Sequence, residues 1–231
     1  MTQPLVRAVV FDLDDTLYPE RGFAFSGFDA VARAFAECWG DPAAAAARMC
    51  WHFDHGQRGR VFDALLAEHG VPTDRARELV SRMIEVYRAH TPAIMLLPEA
   101  DAVLTALRGR VRLGLITDGP AGMQRNKVGA LGLRTRFDHI ILTDELGPGM
   151  GKPNPAAFER MAIALGVGPR DCVYVADNRA KDFVACNRLG WRSVLVHRAE
   201  GVYASAVAPD GGEPELVIGD LQDLPGLFGL A

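Results

Sequence analysis

The stretch from Val9 to Tyr18, VVFDLDDTLY, constrains the fold of this chain more than any other part of the sequence. It closes an apolar run, residues 5–11, with acids that begin at Asp12. A short apolar run bounded in this way predicts a buried β-strand, and aspartate is a poor strand residue. We therefore expect the strand to stop near Asp12 and to place its acids at the carboxyl end of a sheet, where open α/β sheets bind ligands.

The acids of this stretch are close enough in sequence to act together. Asp12 and Asp14 are separated by a single residue, so the turn after the strand can bring both carboxylates near one centre. Two anions held together need a cation, or one of them must carry a proton. The alternative is an Asp-rich turn that only caps a helix, but further acids recur at matching places downstream.

The rest of the chain divides into a helical segment and an alternating segment. Residues 22–92 have apolar positions at helical spacing, and four helices there are enough to close a small bundle. From Pro98 onward strands and helices alternate, which is typical of a parallel sheet with helices on both faces. We predict an α/β, Rossmann-like core from residues 1–18 and 95–231, with a small α-helical domain, residues 19–94, inserted after the first strand.

The periodicity also predicts the individual elements of the core. Its strands are expected at residues 5–11, 111–116, 137–142, 171–176, 193–197 and, more weakly, 216–218. Its helices are expected at residues 99–108, 120–131, 155–165 and 179–189. The polar segment 200–215 is rich in glycine and proline and is predicted to be a surface loop.

Composition excludes several classes of function. The 231 residues carry a formal net charge of −4, which indicates no basic surface for nucleic acid. The sequence contains no run of about 18 apolar residues, so we expect no membrane span. Its first residues lead directly into the predicted first strand, so we expect no signal peptide. Four cysteines lie far apart without a C-x-x-C pair, as expected of free thiols in a reducing compartment. We expect a cytoplasmic protein with a small-molecule partner, and the oligomeric state stays open.

Further polar residues stand at the ends of other predicted core strands or just before a helix. They are Thr117 with Asp118, Lys152, and Asp177 with Asp182. The carboxyl ends of parallel strands lie at the same edge of a sheet. We therefore expect these residues to lie with the acids of the first strand around one pocket. A convergence of residues scattered along the chain is a stronger indication of a site than any single motif.

Lysine is rare in this chain. Of its 25 basic residues only three are lysines, namely Lys127, Lys152 and Lys181. A lysine where arginine is the usual choice suggests a specific role, and Lys152 stands in a rigid Gly-Lys-Pro-Asn-Pro setting. The alternative for Lys152 is a solvated loop residue.

The polar segments together resemble the haloacid dehalogenase-like hydrolase superfamily. The matching segments are Asp12-Leu-Asp14-Asp-Thr16, Thr117-Asp118-Gly119, Gly151-Lys152-Pro153 and the run from Asp177 to Asp182. Their order and spacing cover nearly the whole chain, and the helical insert stands where that superfamily carries a cap of the C1 type. The resemblance implies a hydrolase with the chemistry of its phosphatase branch.

Phosphate-ester chemistry suggests roles for the matched residues. A carboxylate can attack phosphorus only when the negative charge of the ester is screened, and Mg²⁺ favours carboxylate and carbonyl oxygens. We interpret Asp12 as the nucleophile that forms an aspartyl-phosphate and Asp14 as the general acid and base. The expected magnesium ligands are the side chains of Asp12 and Asp177 and the backbone carbonyl of Asp14. Asp182 is expected to contact the metal or its waters.

Three further residues and Lys152 are expected to hold the phosphoryl group. The Thr117 hydroxyl would donate a hydrogen bond to it, helped by the backbone N–H groups of Asp118 and Gly119 at the start of a helix. Lys152 would supply a compact positive charge to the phosphoryl group and to Asp12. The alternative for Thr117 and Asp118 is a helix-capping pair.

Asp14 also separates the reactions that such a site can perform. Halide leaves unprotonated, so a dehalogenase needs no acid two residues after its nucleophile, whereas a phosphatase or phosphomutase does. The leading hypothesis is a Mg²⁺-dependent phosphatase of a small phosphomonoester. A phosphomutase of a sugar phosphate, using the same residues, is the alternative. A non-catalytic module that binds a phosphate-bearing ligand is a third.

The helical insert is the candidate segment for recognition of the substrate. Arg58 and Arg60 lie among glycines in a segment between two predicted helices, where they can approach an anionic or hydroxyl-rich leaving group. A solvated turn between helices is an equal alternative, and the sequence does not name the substrate.

Overall fold

The computed structural model describes residues 5–230, and the chain separates into two compact units. One unit comprises Met1–Glu20 with Met95–Ala231, and the other comprises Arg21–Ile94. The first unit is α/β and the second is helical. That the helical unit acts as a cap stays a prediction.

The α/β unit is built on one sheet of six parallel strands. The strands are β1 (Ala8–Phe11), β2 (Arg112–Thr117), β3 (His139–Leu142), β4 (Cys172–Ala176), β5 (Arg192–Val196) and β6 (Leu216–Ile218). Their order across the sheet is β3-β2-β1-β4-β5-β6, so the direction of strand succession changes beside β1. That reversal opens a crevice at the carboxyl ends of the strands, and Phe11 is paired there with Leu115 and Val175.

Both faces of the sheet are covered. Successive side chains of a strand point to opposite faces, and every residue of β1 and of β4 is buried. On one face, Val10 and Tyr174 pack with Phe158 and Met161 in a continuous apolar core. The apolar run Val9-Val10-Phe11 therefore forms a strand because it is buried on both sides, and the strand stops where the acids begin.

Among the described residues of the α/β unit, four α-helices lie in the connections between the strands, and a short fifth follows β6. They are α5 (Pro98–Leu107), α6 (Ala121–Ala130), α7 (Ala156–Leu165), α8 (Phe183–Arg188) and the short α9 (Leu224–Leu227). The Asn154 side chain accepts a hydrogen bond from the Ala156 N–H at 3.0 Å, which satisfies a free donor at the start of α7. Helix α6 begins directly beside the carboxyl end of β2 and thereby faces the crevice.

The helical unit contains four helices. They are α1 (Glu20–Ala34, whose first residue belongs to the α/β unit), α2 (Pro42–Asp54), α3 (Val61–Glu68) and α4 (Thr73–Ala89). Phe28 forms the centre of their aromatic core and stacks on Tyr87, with ring centroids 5.7 Å apart. Gly27 allows this packing, since a Cβ atom there would lie 2.5 Å from the Tyr87 ring. Among residues 5–230, no helix has both the length and the apolar character to cross a membrane.

The predicted fold class is confirmed, and the differences concern boundaries. The strand predicted from residue 5 begins at Ala8, and the helix predicted from residue 179 begins at Phe183. Before α8 the chain forms a turn instead, because the Asn178 side chain accepts from the Ala180 N–H at 2.9 Å and Asp182 accepts from the Asn178 N–H at 3.1 Å. These local hydrogen bonds compete with the first helical turn.

Candidate active site

Asp12 stands at the centre of the carboxyl edge of the sheet. It follows β1 directly, and its N–H donates to the carbonyl of Val175 at 2.9 Å, which extends the pairing of β1 with β4 by one residue. Thr117 ends β2, and Asp177 follows β4, so both neighbouring strands deliver a polar residue to the same place. The strand order thus brings together residues that are far apart in the sequence.

A buried lysine joins three groups beneath this edge. Lys152 Nζ lies 2.6 Å from Asp12 Oδ1 and 2.7 Å from Asp182 Oδ1, and it donates to the Tyr174 hydroxyl at 3.0 Å. The side chains of Lys152 and Asp182 are completely buried. Burial lowers the pKa of Lys152, but the charges of Asp12 and Asp182 outweigh it and hold this pKa well above its usual value. Lys152 is therefore a permanent cation, and it is not a solvated loop residue.

Three carboxylates form a compact acidic cluster. Oxygen atoms of Asp12, Asp177 and Asp182 all lie within 4.8 Å of one another. Burial, together with the charges of the neighbouring acids, raises the pKa of Asp177 to about 9. Burial also raises the pKa of Asp12 to about 6, against the opposing effect of Lys152. Such pKa values mark a place where negative charge lacks a counter-charge.

The donor set of this cluster fits a hard divalent cation. Carboxylate oxygens are the ligands that Mg²⁺ prefers, and the surrounding edge also offers backbone carbonyls. The structure places Asp182 within the cluster, whereas the side chain of Asp14 lies outside it and contacts other residues. The prediction that Asp14 contributes its backbone carbonyl stays a prediction.

The Asp14 side chain is held by three donors. Lys127 Nζ lies 2.6 Å from Asp14 Oδ1, which also accepts a hydrogen bond from the Tyr18 hydroxyl. The Gln124 amide donates to Asp14 Oδ2 at 3.0 Å. Burial raises the pKa of Asp14, but the charge and hydrogen bond of Lys127 outweigh it, and the pKa lies below its usual value. Asp14 is therefore ionised in the free protein at neutral pH.

The residues predicted to hold phosphate have contacts of their own. The Thr117 hydroxyl accepts a hydrogen bond from the Gln124 amide. The Asp118 carboxylate accepts from the Thr143 hydroxyl at 2.7 Å and from the Lys152 N–H at 3.2 Å. Asp118 therefore fastens the loop that carries Lys152 to the end of β2. Its predicted role as a backbone donor to phosphate, like that of Gly119, stays a prediction.

A cavity of about 260 Å³ opens beside these groups within the α/β unit. Its lining consists of Asp12, Asp14, Glu20, Asp118, Gly119, Met123, Lys127, Asp177, Asn178, Lys181 and Tyr203. Neither Thr117 nor Lys152 is part of the lining, and both are buried. The volume lies just below the usual range for drug-sized ligands, about 300–1,000 Å³, and indicates a small ligand.

All three lysines of the chain lie in this site, each with its own carboxylate. Lys152 contacts Asp12, Lys127 contacts Asp14, and Lys181 Nζ lies 3.1 Å from Asp118 Oδ2. From the sequence, only Lys152 is assigned a role, and Lys127, Lys181 and Gln124 are missed. Tyr203 falls in the segment predicted to be a surface loop. The scarcity of lysine was the signal that pointed to Lys127 and Lys181.

Arg58 and Arg60 belong to the helical unit, whereas the residues described above belong to the α/β unit. The Arg58 guanidinium stands 5.1 Å from the centroid of the Phe53 ring, and Arg60 immediately precedes α3. Both side chains are exposed. That they contact a substrate stays a prediction.

Comparison with known proteins gives consistent matches. A family model described as haloacid dehalogenase-like hydrolase matches residues 6–190. A phosphoserine phosphatase of Thermus thermophilus is 35% identical over 170 residues, which are 72% of this chain and 63% of that protein, less than two thirds of its length. A glyceraldehyde 3-phosphate phosphatase of Methanopyrus kandleri is 31% identical over 205 residues, which are 85% of this chain and 86% of that protein.

A solved structure extends the similarity to the whole fold. The crystal structure of a 2-haloacid dehalogenase from Pseudomonas syringae superposes with a TM-score of 0.66 at 25% sequence identity. The superposition covers 97% of this chain and 99% of the dehalogenase chain. The two sequence relatives are named phosphatases and this structure is named a dehalogenase, so the choice between the two reactions depends on the residues of the site.

Proposed function

The chain belongs to the haloacid dehalogenase-like hydrolase family, and from this premise we propose that it is a Mg²⁺-dependent phosphatase of a small phosphomonoester. The observation that carries the proposal is the arrangement of two carboxylates on one cavity. Asp12 is paired with the buried Lys152, and Asp14 is held separately by Lys127. Both relatives described above carry the names of phosphatases that act on small phosphomonoesters, which supports the same conclusion.

Asp12 is the nucleophile of the proposed reaction. Its carboxylate oxygen attacks phosphorus, the bond from phosphorus to the leaving oxygen breaks, and an aspartyl-phosphate forms. Lys152 favours the ionised form of Asp12 and stabilises negative charge that builds up on the phosphoryl oxygens. Because Lys152 is fixed by Asp182 and Tyr174 as well, it keeps its position during the reaction.

Asp14 transfers the protons. It is ionised in the free protein, and the negative charge of a phosphate ester bound nearby favours its protonated form. The protonated Asp14 then donates to the leaving oxygen as the first bond breaks. The resulting carboxylate accepts a proton from the water that attacks the aspartyl-phosphate, which releases inorganic phosphate and restores Asp12.

The acidic cluster would hold the magnesium ion. The side chains of Asp12, Asp177 and Asp182 and the carbonyl of Asp14 are the proposed ligands. When bound, the ion screens the charges of the carboxylates and of the phosphoryl group from one another. In the same proposal, Thr117 and the backbone N–H groups of Asp118 and Gly119 orient the phosphoryl oxygens.

The position of Asp14 favours ester hydrolysis over dehalogenation. A leaving alkoxide requires a proton, whereas a leaving halide does not, and a dehalogenase would have no use for an acid held by Lys127, Tyr18 and Gln124. A phosphomutase would use the same groups. A mutase transfers the phosphoryl group back to the sugar, whereas a phosphatase transfers it to water. The product of the reaction therefore distinguishes the two activities.

The experiment is a phosphate-release assay on a panel of phosphomonoesters that includes O-phosphoserine, glyceraldehyde 3-phosphate and p-nitrophenyl phosphate. We expect release with Mg²⁺, loss with EDTA and recovery when Mg²⁺ is added back. Asp12→Asn should lower kcat by at least about a thousandfold. Glu145→Gln is the matched control, because Glu145 is an exposed acid paired with Arg125 outside the cavity. Full activity of Asp12→Asn contradicts the mechanism, and phosphoryl transfer within a sugar phosphate without phosphate release indicates a mutase.

A further inference from the structure

The connection between β5 and β6 reaches the candidate active site. Tyr203 lies in this segment, for which the sequence predicts a surface loop. It lines the cavity, and the residue is 43% exposed. The other lining residues outside the four motifs include Glu20 and Met123. The motif residues of the lining already have proposed roles toward the metal, the nucleophile and the phosphoryl group, which leaves Glu20, Met123 and Tyr203 to contact a leaving group.

Asp15 fastens this segment to the turn that carries the nucleophile. Its two carboxylate oxygens accept from two backbone N–H groups, Oδ1 from Glu20 at 2.7 Å and Oδ2 from Val202 at 2.6 Å. Asp15 itself has a φ of 49°, a conformation that aspartate tolerates better than most residues. One buried carboxylate therefore positions both Glu20 and the residue next to Tyr203.

A second contact holds the beginning of the same segment. Arg198 pairs with Glu99 at 2.7 Å and donates to the carbonyl of Thr16 at 3.2 Å. The segment is thus tied to the nucleophile turn through Arg198 and again through Val202. These two attachments explain how a loop with few apolar residues keeps an aromatic side chain at the cavity.

We propose that Tyr203, held in place by Asp15, is a specificity-determining residue that contacts the leaving group, and that the preferred leaving group is a small, uncharged, hydroxyl-bearing one. The inference rests on the proposed phosphatase function. The Tyr203 ring and the Met123 thioether present apolar surface to a short carbon skeleton, and the Glu20 carboxyl offers a hydrogen-bond partner to its hydroxyl groups.

The charges of the cavity disfavour a second anionic group on the substrate. As far as residues 5–230 form it, the lining contains five acids and two lysines. Lys127 is already paired with Asp14, and Lys181 with Asp118. A carboxylate on the leaving group would therefore enter an acidic surrounding whose cations are engaged, and like charges repel one another there.

Three substrates distinguish the contribution of the leaving-group contacts from the effect of a negative charge on the leaving group. Methyl phosphate has almost no leaving group to recognise, glycerol 3-phosphate has a neutral one, and 3-phosphoglycerate has one of the same length with a carboxylate. We expect the wild-type protein to favour glycerol 3-phosphate over 3-phosphoglycerate by at least about tenfold in kcat/KM, a typical discrimination for one unfavourable polar contact. Preference for 3-phosphoglycerate overturns the assignment of the leaving group.

The decisive readout is the ratio of kcat/KM for glycerol 3-phosphate to that for methyl phosphate. Tyr203→Ala should lower this ratio about tenfold, mainly through KM, and Tyr203→Phe should keep it within about twofold. Asp15→Asn should lower it in the same direction and speed amide hydrogen exchange at residues 201–206. The matched control is Val207→Ala, since Val207 lies in the same connection and is 81% exposed; this variant should leave the ratio unchanged.

The possible failures are distinguishable. An unchanged ratio in Tyr203→Ala, with phosphate still released from both substrates, overturns the role of Tyr203 and leaves the phosphatase proposal standing. A wild-type protein that releases phosphate with Mg²⁺ neither from these three esters nor from the panel of the phosphate-release assay overturns the proposed function itself.

Discussion

Lys127 Nζ lies 2.6 Å from Asp14 Oδ1, although the two residues are 113 positions apart in the sequence. The lysine side chain is almost completely buried on α6, while the aspartate follows β1 and is partly exposed. A buried cation of this kind is costly unless it serves a partner. Its partner here is the carboxylate to which we assign both proton transfers, so Lys127 is a positioning residue for the proposed acid and base.

Replacement of Lys127 by methionine should lower kcat by about ten- to a hundredfold, part of the usual contribution of a general acid. Methionine keeps an unbranched side chain, one atom shorter than that of lysine, but leaves Asp14 without its ion pair. The pKa of Asp14 should also rise, because Lys127 is the main group that lowers it. The measurement is the pH profile of kcat, whose limb due to Asp14 should move to higher pH.

Arg125→Met is the control for this variant. Arg125 lies on the same helix, but its guanidinium is half exposed and pairs with Glu145. We expect its kcat and pH profile to match those of the wild type. A Lys127→Met protein with a kcat within twofold of the wild type would show that Asp14 needs no positioning by this lysine.

Lys152→Met should destabilise the metal-free protein by about 3–5 kcal/mol, the typical cost of removing one partner of a buried ion pair. The variant leaves the carboxylates of Asp12 and Asp182 buried without their cation. Urea unfolding in the presence of EDTA measures the loss. Adding Asp182→Asn should recover part of it, because one uncompensated charge is removed; a double variant less stable than the single one contradicts this account.

The affinity for Mg²⁺ should increase with pH between about 6 and 9. The pKa of Asp177 is raised to about 9 and that of Asp12 to about 6, and only the deprotonated carboxylates bind the ion. Protons therefore compete with Mg²⁺ below these values, and each displaced proton contributes up to about tenfold in affinity per pH unit.

Calorimetric titration with Mg²⁺ at several pH values, in buffers of different ionisation enthalpy, checks this expectation. Near pH 7 binding should release about one proton, which comes from Asp177. Asp177→Asn should bind Mg²⁺ weakly and with little dependence on pH. An affinity that is constant from pH 6 to pH 9 would mean that these carboxylates do not bind the ion.

The fold was largely predictable because its main features repeat along the chain. Alternating strands and helices after Pro98 predicted the parallel sheet, and the buried run at Val9 to Phe11 predicted its central strand. Element ends were less predictable, since they depend on local hydrogen bonds. Around Asn178 and Asp182 two side chains bind nearby N–H groups and delay the start of α8 to Phe183.

The candidate site was predictable where its residues stand at strand ends. Asp12 and Asp177 follow adjacent strands, so their meeting depends only on strand order. Lys127 and Tyr203 were not found, because their approach to the cavity depends on how α6 and the β5–β6 connection pack in three dimensions. Sequence spacing contains no information on that packing, and the scarcity of lysine was the remaining indication for Lys127.

In the proposed mechanism, Asp12 becomes phosphorylated and Asp14 then activates the water that releases the phosphate. The most direct test is mass spectrometry of the Asp14→Asn variant, quenched in acid after incubation with Mg²⁺ and a phosphomonoester that has a good leaving group, such as p-nitrophenyl phosphate. We predict a mass increase of one phosphoryl group on the peptide that contains Asp12. The increase should be absent from Asp12→Asn/Asp14→Asn. An unmodified Asp12 peptide in a variant that still turns over the ester, or a phosphoryl group on another residue, would contradict the account.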